Sequence, residues 1–480
     1  MGVDGRAPHR AWFLYNDVER RRSRGSESMG VAHTPPMGWN SWDCYGTTVT
    51  EHEVLANARF LAEHLLPLGW DTVVVDIDWS DPTARAHGYN DAAPLCLDAG
   101  GRPVPAPGRF ASSADGSGFT ALAAQVHALG LRFGVHVLRG IPRRAVELDL
   151  PVEGTAWTAR DAADTTSTCA WNPHNYGLDH THPAAQAWLD GQVAQLARWG
   201  VDYVKVDDML APLHVDAVRA WSLAIERAGR PMVLSLSPGT GVSTHDHALL
   251  AEHGNLWRVC DDLWDRWEDV HASFARLARW APLQAPGAWA DADMLPLGRI
   301  GIRAERGEDR HSRLTPDEQR TLLTLWVMAR SPLMMGGDLP TSDAATIALL
   351  ANPAVGHVLR TSVDGREVLR EPDGDGEVVV WTARAGGDEP SATRYAAVFW
   401  TGPAPRTCTV AVGALVGHEL AARHDWAVRD LWDAALPVAP RSDPSAPTGA
   451  LDLLVPAHGV RWVALDPRPR TGQEGRPAPT

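Results

Sequence analysis

Short apolar runs alternate along most of the chain with longer stretches in which apolar residues recur every three or four positions. The runs are "MGWNSW" from Met37, "DTVVVDIDW" from Asp71, "RFGVHVLRG" from Arg132, "VDYVKVDD" from Val201, "MVLSLSPG" from Met232, "LWRVCDD" from Leu256, "AWADADML" from Ala288 and "SPLMMGGDL" from Ser331. Most are nearly continuous in hydrophobicity, the signature of strands covered on both faces in a parallel sheet. Between them lie amphipathic stretches such as "TEHEVLANARFLAEHLLPLG" and "PAAQAWLDGQVAQLARWG", the first opened by Thr50 and Glu53 in capping-box spacing. Eight strands, each followed by a helix, predict a (β/α)8 TIM barrel over residues 31–348. The segment from Ile141 to Thr168 is polar and aperiodic, and it reads as a long loop after the third strand.

Past residue 349 the pattern changes to short alternating runs broken by Gly, Pro and Asp, which predicts a C-terminal antiparallel β-sandwich over 349–467. Residues 1–30, polar and Arg-rich, and 468–480, rich in Pro, Arg and Gly, read as disordered ends. The first of these lacks the apolar run of a signal peptide, and Met29 is an alternative start. No stretch is long and apolar enough to span a membrane, so a cytoplasmic location is expected.

Composition narrows the partners. The net charge of −15 is spread along the chain, which argues against nucleic acid or an anionic membrane and for a neutral partner such as an oligosaccharide or glycoside. Oligomeric state is not legible. The 21 Trp against 7 Phe and 6 Tyr serve either a Trp-rich core or pockets in which indoles stack on sugar rings. Five scattered cysteines give no disulfide framework and suit a reducing compartment.

The chemistry gathers at the strand ends. In a TIM barrel the C-terminal ends of the strands form the active-site face. Polar residues close nearly every run: Trp42 with Asp43, Asp76 with Asp78, His136 with Arg139, Lys205 with Asp207 and Asp208, Ser235 with Ser237, Arg258 with Asp261 and Asp262, Asp291 with Asp293. Any one of these acids could be a helix cap, but caps do not explain a ring of them, nor Lys205 and Arg258. Two carboxylates facing each other across such a mouth are the equipment of glycoside hydrolysis. The His-containing runs "DHTH" (Asp179–His182) and "HDH" (His245–His247) lack the i, i+4 spacing of a zinc pair, and no Gly-rich phosphate loop opens a helix, so neither metal nor cofactor is expected.

With these residues in view, the chain resembles glycoside hydrolase family 27, the α-galactosidase or melibiase family, through "TPPMGWNSWD" (Thr34–Asp43), "WGVDYVKVDD", "WRVCDDLWDRW" (Trp257–Trp267), "PGAWADADML" (Pro286–Leu295) and "LWVMARSPLMMGGDL" (Leu325–Leu339). The resemblance implies a retaining hydrolase with Asp207 as nucleophile and Asp262 as acid/base. It also places Lys205 and Arg258 on the substrate, and Trp42, Asp76, His136 and Asp293 around the sugar. Ser235, from the same strand ends, completes the candidate binding set. Lys205 is expected to favour the ionised Asp207, and Asp262 to be desolvated among Trp257, Trp264 and Trp267. The α-galactosidases place paired aspartates after strand two for the 4- and 6-hydroxyls; here the second is Ile77. The segment after strand five is "SLSPG", and the family's disulfide partner for Cys169 falls at Met209, so that bridge is absent. The family also holds β-L-arabinopyranosidases, isomaltodextranases and α-N-acetylgalactosaminidases, so the expectation is hydrolysis of α-galactosides or a related glycoside. Transglycosylation through the same intermediate, and a non-hydrolytic carbohydrate-binding protein on this scaffold, are the alternatives.

Overall fold

The computed structural model describes residues 31–470 except 211, 388–392, 437, 439, 444 and 445. The ends expected to be disordered lie almost wholly outside these residues. Each of the eight apolar runs contains one strand: β1 (Met37–Asn40), β2 (Thr72–Val75), β3 (Arg132–Leu138), β4 (Tyr203–Asp207), β5 (Val233–Leu236), β6 (Leu256–Arg258), β7 (Trp289–Asp291) and β8 (Leu333–Met335). They lie side by side in the order β7-β6-β5-β4-β3-β2-β1-β8, every pairing parallel. The two edges meet through a parallel bridge between Leu295 and Met335, where the Leu295 amide donates to Met334 O at 2.8 Å. This closes the predicted barrel.

Local chemistry sets each turn into place. Helix α1 (Glu51–His64) begins with the predicted capping box: the Glu53 amide donates to Thr50 Oγ1 and the Thr50 amide to Glu53 Oε2. Helix α2 (Pro183–Trp199) ends at Gly200, whose φ of 85° turns the chain into β4 at a conformation glycine adopts without strain. Along β4 alternate residues face opposite ways. Val204 and Val206 join the main core, whereas Tyr203 packs in the barrel interior with Val74, Val233 and Leu256. Lys205 and Asp207 share the side of Tyr203 and follow it toward the strand end.

The segment from Ile141 to Thr168 is not a structureless loop. Strands Ile141–Pro142 and Ala163–Thr168 both pair antiparallel with Asn175–Leu178, and two short helices, Arg143–Glu147 and Ala159–Ala162, lie between them. Helices of one turn are too short to show a hydrophobic period, and Ala163–Thr168 is a polar, largely exposed strand, so neither left a pattern to read.

Helices α3 (Ala344–Leu350), capped by Asp343, and α4 (Pro353–Thr361), capped by Asn352, carry helical cover beyond residue 349, where the sandwich was expected to begin. Beyond them, β9 (Ser362–Asp373), β10 (Gly376–Ala385), β11 (Arg394–Trp400), β12 (Arg406–Ala411), β13 (His424–Asp430), β14 (Arg441–Asp443), β15 (Ala446–Val455) and β16 (Val460–Pro469) form two antiparallel sheets. Their orders are β9-β10-β11-β16-β13 and β12-β15-β14, and Val398, Val410, Leu453 and Val463 belong to one core shared by both. Strand β16 runs on to Pro469, into residues expected to be tail. Most tryptophans are core residues: Trp39, Trp221, Trp289, Trp326 and Trp462 are fully buried. Among the described residues no helix is long and apolar enough to cross a membrane.

Candidate active site

Asp76, immediately after β2, organises the floor. Its Oδ1 accepts from His136 Nδ1 at 2.7 Å and from the Ile77 amide at 2.9 Å; its Oδ2 accepts from Asn40 Nδ2 at 2.8 Å and Lys205 Nζ at 3.3 Å. Burial alone would raise this acid, but the His136 and Lys205 charges hold it far below the usual carboxylate range. His136 reaches a second carboxylate, with Nε2 3.2 Å from Asp207 Oδ2. A ring set between two acceptors is favoured as imidazolium, and its affinity for the proton is raised by Asp76 against the opposing effect of burial.

Asp207 is therefore the outer member of a chain of alternating charge, Lys205 and His136 on Asp76 and His136 on Asp207. Burial works against its ionisation, yet His136 first and Lys205 second lower its pKa below the ordinary value. The expectation named Lys205 alone; the larger influence is His136, on the preceding strand β3 and directly beside Lys205 in the sheet. Oδ1 of Asp207 also accepts from the Asp208 amide at 2.8 Å. The side chain is 22% exposed, at the cavity wall. Asp208, with φ of 61°, turns away to Arg139, whose NH2 lies 2.6 Å from Asp208 Oδ2.

Across the mouth, Arg258 at the end of β6 is shared by two acids, Asp293 Oδ1 at 3.0 Å and Asp262 Oδ1 at 3.2 Å. Asp293 is buried; its Oδ2 accepts from the Leu263 amide at 2.8 Å, which ties the loop after β6 to the end of β7. Burial pushes Asp293 up to about 6, with Arg258 opposing and Asp262 adding to the rise. Asp262 is not enclosed by indoles as expected. Trp257 and Trp264 are buried, whereas the Asp262 side chain is 41% exposed, because its loop is anchored through Leu263 and Arg258 and leaves the carboxylate on the open side.

Asp207, Arg258 and Asp262 line one cavity of about 640 Å³, together with Ser237, Tyr89 and Trp171. Asp76, His136, Lys205 and Asp293 are buried and reach it through the bonds described. Trp42 stacks on Tyr89 with ring centroids 5.7 Å apart. Ser235 is not brought to the cavity. It is buried one pleat lower, and Ser237, two residues on, lines the wall. Ile77 is buried in the same apolar cluster as Trp42, Leu138 and Cys169. All five cysteines are free.

Three features went unassigned from sequence. Asp43 is buried with Oδ2 unpartnered, and burial followed by the charges of Asp293 and Asp262 pushes its carboxyl well above the ordinary value. It fits because Gly336 lies against it: a Cβ there would stand 1.9 Å from Asp43 Oδ2. Tyr89 and Trp171 come from aperiodic loops and carry no sequence signal beyond being aromatic. The His-containing runs have local roles: His182 Nδ1 accepts from the Ala184 amide at the start of α2, and Ser243 closes a capping box on Asp246. Among the described residues no group of three His, Cys, Asp or Glu side chains could hold a metal ion.

A family model described as alpha galactosidase A, a melibiase model, matches residues 180–359. The solved structure of a glycoside hydrolase family 27 β-L-arabinopyranosidase from Geobacillus stearothermophilus, in complex with arabinose, is 42% identical and superposes with a TM-score of 0.84, covering 92% of this chain and 99% of its own. An alpha-galactosidase of Cyamopsis tetragonoloba is 26% identical over 445 residues, 92% of this chain and 88% of its own. An alpha-N-acetylgalactosaminidase of Gallus gallus is 27% identical over 355 residues, 71% of this chain and 74% of its own.

Proposed function

The chain belongs to glycoside hydrolase family 27 and is an O-glycosyl hydrolase, and from that premise we propose that it removes terminal β-L-arabinopyranose in preference to α-D-galactose, with retention at the anomeric carbon. The two sugars share ring stereochemistry and differ only in the hydroxymethyl group at C5, which arabinopyranose lacks. Ile77 carries the preference. An apolar residue stands where the α-galactosidase pattern has the aspartate for the 6-hydroxyl, and the 42% identical relative is an arabinopyranosidase. A galactoside 6-hydroxyl would meet a side chain that offers no hydrogen bond, which costs affinity. The five unpaired cysteines suit a reducing compartment, and a cytoplasmic location belongs to the same proposal.

Asp207, kept ionised by His136 and Lys205, attacks the anomeric carbon while Asp262 gives its proton to the leaving oxygen; the bond to the leaving group breaks and a glycosyl ester forms on Asp207. Water then attacks the same carbon, Asp262 takes its proton, and Asp207 is released. Arg258 and Asp293 hold Asp262's loop against the mouth while that proton moves out and back. Proton NMR of the first-formed sugar should show the substrate's own anomer, and an inverted product would end the retaining mechanism.

Specificity is tested by kcat/KM on nitrophenyl β-L-arabinopyranoside and α-D-galactopyranoside. The first should exceed the second, and Ile77→Asp should move the ratio toward galactose by at least about tenfold. A wild-type preference for galactose would instead favour the α-galactosidase reading, which the Cyamopsis relative supports.

Asp262→Ala separates the acid from its neighbours. Loss of the proton donor should cost about 10²–10⁴-fold in kcat/KM for a sugar leaving group, and far less for dinitrophenolate, which needs no proton. Equal losses for both would shift the acid role to Asp261, which also lines the cavity.

A further inference from the structure

We propose that Tyr89 and Trp171 form a leaving-group subsite, a platform on which the sugar ring released from the cleaved bond stacks, and that His174 and Asp78 clasp this platform in place. This rests on the glycosidase reading above. Both rings line the cavity that holds Asp207 and Asp262. They continue outward from Trp42: Tyr89 stacks on Trp42 at 5.7 Å and meets Trp171 at 5.4 Å, so three aromatic rings form one wall. Tyr89 feels Glu305, Asp207 and Asp262, whose charges add to burial in raising its phenol, so its position is close to the reacting pair. Trp171 is 39% exposed in a protein whose other large indoles are mostly core. An open indole beside two carboxylates contributes little to folding, and its flat face matches the C–H face of a pyranose.

The platform is assembled from two loops, one after β2 and one after β3, and His174 links them. His174 Nδ1 lies 3.1 Å from Asp78 Oδ1, and Nε2 lies 2.8 Å from the backbone oxygen of Asn90, the residue after Tyr89. Asn172, next to Trp171, donates to the same Asp78 oxygen at 3.4 Å. A carboxylate and a carbonyl both only accept, so both ring nitrogens must carry protons and the clasp is made by imidazolium. Asp78 Oδ2 is buried without a hydrogen-bond partner, so its charge is compensated by His174 and the neighbouring Arg109. The other charged groups around the clasp are Asp81, Arg109 and Arg143. Arg109 NH1 donates to the backbone oxygens of Asp78 and Asp81, and the Arg143 amide donates to His174 O. Burial opposes the imidazolium and Asp78 favours it, with a net rise, so the clasp holds to higher pH than a free imidazole would and opens as pH climbs through the His174 value.

The experiment compares two β-L-arabinopyranosyl substrates, a disaccharide whose leaving group is a second sugar and the glycosyl fluoride, whose leaving group is a single ion too small to reach the platform. In Trp171→Ala, kcat/KM for the disaccharide should fall at least about fivefold further than for the fluoride. Equal losses, or none, would overturn the subsite. In the wild type, the ratio of KM for the disaccharide to KM for the fluoride should rise as pH is raised, and in His174→Gln it should be high and independent of pH. A flat wild-type ratio would overturn the clasp. A wild-type protein that cleaves neither substrate would remove the arabinopyranosidase reading itself, an outcome distinct from both.

Discussion

Asp207→Ala is expected to lose at least about 10⁴-fold in kcat on every glycoside while keeping the wild-type circular dichroism. The side chain is the outer member of a charge chain and carries little of the fold, since it accepts a hydrogen bond from one adjacent amide and otherwise pairs with one imidazole edge. Its removal leaves no group to form the ester. It also opens space on the face from which attack occurs. Added azide should enter that space, restore breakdown of an activated aryl glycoside and give a glycosyl azide of inverted configuration. A variant that keeps more than about one hundredth of kcat without azide would exclude Asp207 as the nucleophile.

The largest expected loss of stability belongs to Asp76→Asn. The change keeps shape and removes charge, so cavity effects are small. Asp76 is the acid that both His136 and Lys205 touch, and all three are buried. Without it, Lys205 retains mainly the charge of Asp207, and breaking such a buried pair costs about 3–5 kcal/mol. The folded pKa of Asp76 lies below its unfolded value of about 3.9. Its contribution is therefore complete above that value and is lost as pH falls through the folded one. Urea midpoints for wild type and variant should differ most at pH 6–7 and converge at low pH. A difference below about 1 kcal/mol at pH 7 would mean that Lys205 and His136 find other compensation.

The barrel was legible because each strand is an apolar run with its polar residues at one end, a pattern dictated by helices on the outside and a packed interior. The same pattern picked out side chains that the fold gathers around one cavity, to within one pleat. It could not tell Ser235 from Ser237, since the two point the same way and only the depth of the cavity separates them. Nor could it foresee that Asp262 would be open, because that depends on Leu263 binding Asp293 from another strand. The insertion after β3, helices α3 and α4 at the sandwich boundary, and the platform residues Tyr89 and Trp171 lie in short or aperiodic segments whose structure comes from tertiary contacts. Ile77 was legible as a departure, since a single apolar residue in a run of aspartates stands out without any structure.

The fit between Asp43 and Gly336 restricts how this protein can diverge. Any side chain at position 336 collides with the carboxylate of Asp43, so 336 cannot drift while 43 keeps its acid. Shortening Asp43 would remove the contacts with its carboxylate and vacate part of the floor at once, but its Cβ, 2.8 Å from the new one, would still collide unless position 43 became glycine. Position 336 can therefore change only after position 43 has. In a library of random variants, alanine at 336 should survive selection mainly on backgrounds in which 43 has already become smaller, so that the order in which substitutions arrive, and not only their sum, decides which lineages remain active.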